Sequence, residues 1–257
     1  MSDENATFSG QSLENPSPAR LTIVTPTKNC VAAIEGLIDA LNNQGDMNFV
    51  WLVADACSTD GTVELVKDRA KCQTKVIVSE DFSIYHGMNK ALADIDTDYY
   101  LVVGSDDRLD AGTVEFINRT IREQAFDLLF GAVMINGRKV RPGNKLGWLF
   151  AMHGVGSSHS VGTIIRTDLH KRFGAYSKRY PVLADQFFIK SVIYGGAKII
   201  RSDQVFGYYS IGGFSGTHAL DYLTDLLKLQ LQTEKYWLLQ LLLGFARLTK
   251  HLVFRTK

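Results

Sequence analysis

The sequence Leu-Val-Val-Gly-Ser-Asp-Asp at residues 101–107 is the stretch on which our prediction of the fold depends. Residues 99–103 form an apolar run typical of a buried strand, and two adjacent acids, Asp106 and Asp107, follow it. Ligands of open α/β sheets bind at the carboxyl ends of strands. Adjacent carboxylates repel each other unless a cation such as Mg²⁺ lies beside them. We predict a metal and nucleotide anchor here; a solvated Ser-Asp-Asp turn is the alternative.

Composition limits the class of protein. The chain has 257 residues, 46% hydrophobic and 21% charged, with a formal net charge of +1. These values predict one globular domain with a large core, and the near-neutral charge gives no case for a nucleic-acid partner. Cys30, Cys57 and Cys72 form no CxxC pair, so we predict neither a disulfide framework nor a zinc site. A reducing, cytoplasmic location fits best.

Residues 1–19 differ in composition from the rest of the chain. They are rich in Ser, Asn, Glu and Pro, and they lack a basic start followed by an apolar core. We therefore expect a disordered N-terminal lead and not a signal peptide.

Strands and helices alternate in the first hundred residues. The apolar runs that predict strands are 21–25, 49–54, 75–78 and 99–103. Amphipathic helices are predicted between them, the first with Asn29 as a candidate N-cap. This alternation is typical of βαβ units, and it predicts an α/β fold with a largely parallel sheet.

Asp55 follows its strand as Asp106 follows the strand at 99–103. One acid at a strand end is common in turns. Two acids on strands that could be neighbours indicate one shared pocket, where Asp55 could accept a hydrogen bond from a nucleobase N–H.

Four ordered segments resemble the signatures of family 2 glycosyltransferases, which are inverting enzymes of the GT-A fold that use nucleotide-diphosphate sugars. The segments are TPTKN at 25–29, VADACSTDGT at 53–62, IYHGMNKAL at 84–92 and GSDD at 104–107. The third is similar to the Tyr-x-x-Met-Asn-Lys-Gly/Ala segment of a bacterial polysaccharide branch. The resemblance implies a GT-A (Rossmann-like) domain over residues 20–216, with a mixed, mainly parallel sheet flanked by helices.

The resemblance also implies roles for single residues. The implied donor-binding residues are Thr25, Pro26, Thr27, Asp55, Asn89, Lys90, Asp106 and Asp107. Among them, Asp55 would contact the base, Asp106 the ribose or sugar, and Asp107 a divalent cation, Mg²⁺ or Mn²⁺. The chain departs from the family pattern at Ala56, where an acid is common, and at Gly104, where an Asp often begins an Asp-x-Asp signature.

Asp185 is the candidate catalytic residue. It precedes a helix predicted through residues 188–193, so its plain interpretation is an N-cap. The resemblance implies instead a catalytic base, because inverting transfer needs a carboxylate beside the acceptor hydroxyl. The two roles are compatible.

Further contacts with the diphosphate or the acceptor are implied on the acceptor side. His159 matches the position of a pyrophosphate-side His, with a solvated loop His as the alternative. Gly213 and Ser215 belong to a Gly-Gly-x-Ser segment whose amides could approach a phosphate, although a bare Gly-Gly is usually a turn. His218 could assist the diphosphate or the metal, or be exposed. Residues 138–160 show little periodicity, and we expect part of them to lie over the cleft as a mobile loop.

Residues 217–257 predict an amphipathic helical extension. Their apolar run at 236–245 is shorter than the roughly 20 residues that span a bilayer. One face carries Leu241, Phe245 and Leu248, and basic residues occupy the remainder, as in a helix at a membrane interface. The rival interpretation is a helix packed on the domain or on a second subunit of a homo-oligomer.

We therefore predict a glycosyltransferase that moves a sugar from a nucleotide-diphosphate sugar to a lipid-linked or oligosaccharide acceptor, with inversion. The expected setting is peripheral, on the inner face of the cytoplasmic membrane, in exopolysaccharide, capsule or lipopolysaccharide assembly. One alternative is a nucleotidyltransferase, which would favour a Gly-rich basic loop where residues 21–29 offer only Lys28. The other is a non-catalytic membrane-associated scaffold, which Asp55, Asp107 and Asp185 disfavour.

Overall fold

The computed structural model of the chain describes residues 20–81, 83–143, 145–209 and 219–255. The strands are β1 (Leu21–Thr27), β2 (Val50–Asp55), β3 (Gln73–Val78), β4 (Tyr99–Val102), β5 (Arg108–Leu109), β6 (Leu128–Ile135), β7 (Arg138–Val140), β8 (Thr163–Arg166) and β9 (Ile199–Tyr209). The helices are α1 (Val31–Asn42), α2 (Thr62–Arg69), α3 (Ile84–Leu92), α4 (Thr113–Glu123), α5 (Gly147–Phe150), α6 (Met152–Val155), α7 (Leu169–Phe173), α8 (Ala184–Tyr194), α9 (Ala219–Thr233) and α10 (Trp237–Arg255).

In the described part of the chain, the strands form one mixed sheet. Their order is β3-β2-β1-β4-β8-β6-β9-β5, and β7 pairs with β6. β1 runs parallel to β2 and β4, and β2 runs parallel to β3. β8 runs antiparallel to both β4 and β6, whereas the long β6–β9 pair is parallel. The predicted α/β class with a mixed, mainly parallel sheet is confirmed.

Both faces of the central strands are buried. On β1, Ile23 belongs to the apolar cluster that includes α1 and α4, while its neighbour Val24 belongs to the cluster that includes α3 and α8. On β2, Val53 belongs to the cluster that includes α1 and α4, and Leu52 belongs to the cluster that includes α3 and α8. Strands covered on both faces read as continuous apolar runs, which is why these strands are visible in the sequence.

The predicted N-cap of α1 is wrong. Asn29 has a left-handed φ of 47°, and its Oδ1 accepts the N–H of Thr59 instead. The first N–H groups at α1, those of Cys30 and Val31, donate to Thr62 Oγ1 and Asp60 Oδ2. The oxygens that cap α1 therefore come from the loop after β2, about 30 residues away, and this joins the loops after β1 and β2.

Residues 138–160 show little periodicity in the sequence but contain regular elements, and the mobile loop over the cleft stays a prediction. They contain β7, α5 and α6, and Met152 is buried in the apolar cluster that includes α3 and α8. The carbonyl of Trp148 accepts from Gln240, and that of Leu149 accepts from Arg247. The segment is ordered by partners more than 90 residues later in the chain, which local periodicity does not reveal.

The C-terminal helices pack on the sheet domain and also expose an apolar surface. Leu226 and Leu229 of α9 are buried in the cluster that includes α8. On α10, Leu242 and Phe245 are 69% and 68% exposed. Within the described residues, no helix is long and apolar enough to cross a membrane.

We predict that Leu229→Ala lowers the free energy of unfolding by about 2–5 kcal/mol, because it removes a fully buried side chain. The matched control Leu242→Ala should change it by no more than about 0.5 kcal/mol, since that side chain faces solvent. Urea unfolding followed by circular dichroism measures both values. Equal effects would show that α9 does not share the core.

Candidate active site

The carboxyl ends of β1, β2 and β4 lie at one edge of the sheet. Thr27 at the end of β1 is in register with Asp55 at the end of β2. Val24 of β1 is in register with Val102 of β4, whose chain continues to Asp106 and Asp107. The topology therefore brings the three acids predicted from the sequence to the same edge.

Asp55 is completely buried and already has protein partners. Its Oδ2 accepts the hydroxyls of Thr27 (2.8 Å) and Ser58 (2.6 Å), and its Oδ1 accepts the Ser58 N–H (2.7 Å). A carboxylate offers about four acceptor positions, and protein donors use three of them here. Asp55 thus organises the loop after β2, and its implied contact with a base stays a prediction.

The side chains of the segment around Pro26 differ in access. Thr25 is buried, and its hydroxyl accepts the indole N–H of Trp51 at 3.0 Å. Thr27 is buried against Asp55, whereas Pro26 is half-buried. The two threonines support the site from within the core, and Pro26 contributes surface.

Gly104 explains the departure from the Asp-x-Asp pattern. A Cβ atom at this position would lie 3.0 Å from Oδ1 of Asp106 and 3.0 Å from Oδ2 of Asp107. Asp107 is 1% exposed and its Oδ2 accepts the Gly104 N–H at 3.2 Å, while Asp106 is half-buried. The two carboxylates occupy the space that a side chain at residue 104 would need.

His159 belongs to the same site. Its Nδ1 lies 3.6 Å from Oδ2 of Asp107, and its ring packs on Tyr209 with centroids 4.1 Å apart. Burial lowers the pKa of His159 to about 4, although the charges of Asp185 and Asp106 act in the opposite direction. The imidazole is therefore neutral near pH 7 and can accept, as it does weakly from the Val161 N–H.

Asp185 is the second residue of α8, so its predicted N-cap role is wrong. Its Oδ1 accepts the hydroxyl of Tyr85 at 2.7 Å and the N–H of Gln186 at 2.8 Å. Asp185 is half-buried, and the surrounding protein removes most of the hydration of its carboxyl, which raises its pKa.

The acid that caps the start of α8 comes from α9. Asp225, which is 1% exposed, accepts the N–H groups of Val182 (2.9 Å) and Leu183 (3.4 Å) through Oδ2. The C-terminal helices thus fix the turn that carries Asp185. No pattern in the sequence indicates Asp225. Tyr85 lies in the segment 84–92 that resembles the family signature, but the resemblance implies no role for it.

Asn89 and Lys90 hold neighbouring loops. The Asn89 amide donates to the carbonyl of Tyr176 and accepts its N–H, both at 2.9 Å. Lys90 Nζ donates to Asp81 Oδ1 and to the carbonyl of Glu80, also at 2.9 Å. Their implied donor contacts stay predictions, and Gly213, Ser215 and His218 lie outside the described residues.

A cavity of about 380 Å³ lies between α3 and residues 177–181. Tyr85, whose hydroxyl binds Asp185, lines it together with Tyr180, Lys178 and Ser83. Its walls therefore combine aromatic rings, hydroxyls and a cationic side chain beside the turn that carries Asp185.

With this geometry in place, comparisons with known proteins define the class. The chain matches the model "Glycosyl transferase family 2" over residues 22–207. A PGL/p-HBAD biosynthesis glycosyltransferase of Mycobacterium bovis (strain BCG / Pasteur 1173P2) is 27% identical over 203 residues, 76% of this chain and 79% of that protein. The Mycobacterium tuberculosis H37Rv protein of the same description gives the same values.

Solved structures agree on the fold. S. aureus TarS 1-349 in complex with UDP-GlcNAc has a TM-score of 0.68 at 23% identity, covering 91% of this chain and 73% of that one. The mannosyltransferase PcManGT from Pyrobaculum calidifontis, in complex with GDP-Man and Mn²⁺, has a TM-score of 0.62 at 16% identity, covering 83% and 64%. The chain spans 41% of the longer TarS chain.

The fold is GT-A, and the protein is a glycosyltransferase. It belongs to glycosyltransferase family 2. The predicted family and enzyme class are confirmed.

We predict that Gly104→Ala lowers kcat/KM about tenfold. The new methyl group displaces the carboxylates of Asp106 and Asp107 by a few tenths of an ångström, and a shift of about 1 Å costs about 100-fold. Gly112→Ala is the matched control, because nothing lies within 4 Å of its added Cβ. Equal kcat/KM values for the two variants would contradict the tight packing at residue 104.

Proposed function

We propose that this enzyme transfers a sugar from a nucleotide-diphosphate donor to a hydroxyl of a saccharide acceptor, with Asp185 as the catalytic base. The supporting observation is the meeting of Asp185, His159 and the Asp106–Asp107 pair in one site of a family 2 domain. The bound UDP-GlcNAc and GDP-Man of the structural relatives support a nucleotide-diphosphate sugar as donor.

The proposed reaction is a single displacement. The acceptor oxygen bonds to the anomeric carbon as the bond from that carbon to the diphosphate oxygen breaks, and the diphosphate leaves with the electron pair. The acceptor proton passes to the Asp185 carboxylate. Its raised pKa brings this base closer to the working pH, which strengthens it as a proton acceptor. Attack opposite the leaving group inverts the anomeric carbon.

A divalent cation, Mg²⁺ or Mn²⁺, fits the acid pair. Oδ2 of Asp107 lies 3.6 Å from Nδ1 of His159, and carboxylate oxygens and imidazole nitrogens are both ligands of divalent cations. The described residues contain no cluster of three or more His, Cys, Asp or Glu placed for a metal. Asp107, with Asp106 or His159, would therefore hold the cation together with donor phosphates. Bound there, it would offset charge on the departing diphosphate.

The cavity between α3 and residues 177–181 is our candidate for part of the acceptor. Tyr180 offers an aromatic face, and Ser83 and Lys178 offer hydrogen-bond donors. Its volume of about 380 Å³ lies in the range of small-ligand sites. A lipid-linked or oligosaccharide acceptor of polysaccharide assembly suits these walls.

We predict that Asp185→Asn keeps donor binding and loses about 10²–10⁴-fold in kcat, since the amide cannot take the proton. A thermal-shift screen of UDP, GDP, CMP, dTDP and their sugars, with and without Mn²⁺, measures binding. Transfer is followed by release of the nucleoside diphosphate.

Asp203→Asn is the matched control, because Asp203 is exposed and pairs with Arg141. It should show normal turnover. Near-normal turnover of Asp185→Asn would remove Asp185 as the base, and the absence of any nucleotide-dependent shift in the unmodified protein would contradict the donor site.

We further propose that α10 rests on the inner face of the cytoplasmic membrane. Leu242, Phe245 and Val253 are each at least 60% exposed. Lys250 is exposed on the same helix, and such a combination favours an anionic lipid surface.

We predict that Phe245→Glu weakens binding to phosphatidylglycerol–phosphatidylcholine vesicles at least tenfold, because it places a charge on the apolar face. Met47→Glu, at an exposed position before β2, should leave binding unchanged. Vesicle co-sedimentation at low and high salt measures this. Unchanged binding by Phe245→Glu, or a Phe245→Glu variant that instead converts a dimer to a monomer in light scattering, would assign the face to a second copy of the chain.

A further inference from the structure

The base has a partner that the proposed reaction does not yet use. The Tyr85 hydroxyl lies 2.7 Å from Oδ1 of Asp185 and 2.8 Å from the carbonyl oxygen of Val182. Both neighbours are acceptors, so the hydroxyl is the donor. We propose that Tyr85 is a positioning residue that orients the Asp185 carboxylate and holds it in the ionised, proton-accepting form. The proposal rests on the function of Asp185 proposed above.

Tyr85 remains a donor over the working pH range. Burial and the adjacent charge of Asp185 raise the pKa of the phenol well above its usual value. A hydrogen bond to an ionised acceptor is stronger than one to a neutral acceptor. The contact therefore favours the carboxylate over the carboxylic acid and opposes the effect of burial on Asp185.

The same hydroxyl accommodates the product of proton transfer. It carries one proton and has two acceptors within 2.8 Å. Oδ1 already accepts from Tyr85 and from the N–H of Gln186, so Oδ2 takes the acceptor proton, and Tyr85 keeps its bond to Oδ1 in the neutral form. Both protonation states of the base are thus hydrogen-bonded, as a group that cycles between them requires.

Groups on several elements face Asp185. They are Tyr85 on α3, Tyr100 on β4, His159 before β8, Tyr176 before α8 and Tyr222 on α9. His159 is neutral near pH 7 because of its pKa of about 4. Among the described residues, Tyr85 is the side chain that donates directly to the carboxylate.

The turn before α8 is held by Tyr85 on one side and by Asp225 on the other. Variants of these two residues therefore distinguish the orientation of Asp185 from its ionisation. The carbonyl of Val182 accepts from Tyr85, and its N–H donates to Asp225. Asp225 contacts the turn and not the carboxyl of Asp185. Asp225→Asn keeps an acceptor oxygen for the turn and removes only a negative charge, so it is a control in which the orientation of Asp185 is retained.

The decisive experiment is the pH profile of kcat/KM. Loss of the Tyr85 hydroxyl raises the pKa of Asp185 further, so the acidic limb for Tyr85→Phe should move about one unit to higher pH. At pH values below the limb, this shift lowers kcat/KM about tenfold further relative to the unmodified enzyme. The limbs of Tyr194→Phe, a matched change on α8, and of Asp225→Asn should stay in place.

A second variant works in the opposite direction. Incorporation of 3-fluorotyrosine at residue 85 retains the shape of the side chain and makes the phenol a stronger donor, so the limb should move to lower pH. Carboxyl ¹³C NMR, with the Asp185 signal assigned by its loss in Asp185→Asn, follows the same titration without substrate.

Two results would overturn the proposal in different ways. A uniform loss of activity in Tyr85→Phe with unmoved limbs, together with an unshifted fluorotyrosine profile, would leave Tyr85 a packing residue while Asp185 remains the base. Near-normal turnover of Asp185→Asn would overturn the function of Asp185 and the proposal for Tyr85 together.

Discussion

A carboxylate that has lost most of its hydration must be held by hydrogen-bond donors, and the arrangement around Asp185 supplies them. Tyr85 reaches it from α3, and the N–H of Gln186 reaches it from its own helix. The turn in front of it is fixed by Asp225 of α9. Three parts of the chain, separated by 40 to 140 residues, therefore converge on the position of one side chain.

Asp55, at the edge of the sheet, also holds separate parts of the chain together. Asp55 joins Thr27 to Ser58 and so fixes the loops after β1 and β2. Removing its carboxylate would leave the buried hydroxyl of Thr27 without an acceptor, at a cost of about 1–3 kcal/mol, and would also release the partly buried hydroxyl and N–H of Ser58. Loss of activity in an Asp55 variant would therefore mix structural damage with loss of donor contact, whereas Asp185→Asn retains the shape of the side chain.

How much the sequence could predict depended on where each residue finds its partners. The central strands β1, β2 and β4, and the acids at their carboxyl ends, were predicted because burial on both faces leaves continuous apolar runs. Asn29 was misassigned as an N-cap, and the N-cap alternative for Asp185 fails, because Asp60 and Asp225, from other parts of the chain, hold the starts of those helices. The elements within residues 138–160 were not predicted for the same reason, since Gln240 and Arg247 bind their backbone carbonyls. Local sequence patterns indicate which residues are buried, but they do not identify hydrogen-bond partners that are distant in the sequence.

The C-terminal helices consequently belong to the catalytic unit as well as to its surface. α10 packs on α9 where Gly244 lies against Leu227 with no room for a Cβ atom, which would come within 2.7 Å of that side chain. α9 in turn supplies Asp225 to the turn before α8. A chain that ended before residue 219 would uncover the apolar cluster that Leu229 fills, and it would leave the N–H groups of Val182 and Leu183 without their acceptor. Helix α10 is therefore connected to the proposed base through two packing contacts, that of α10 on α9 and that of Asp225 on the turn before α8.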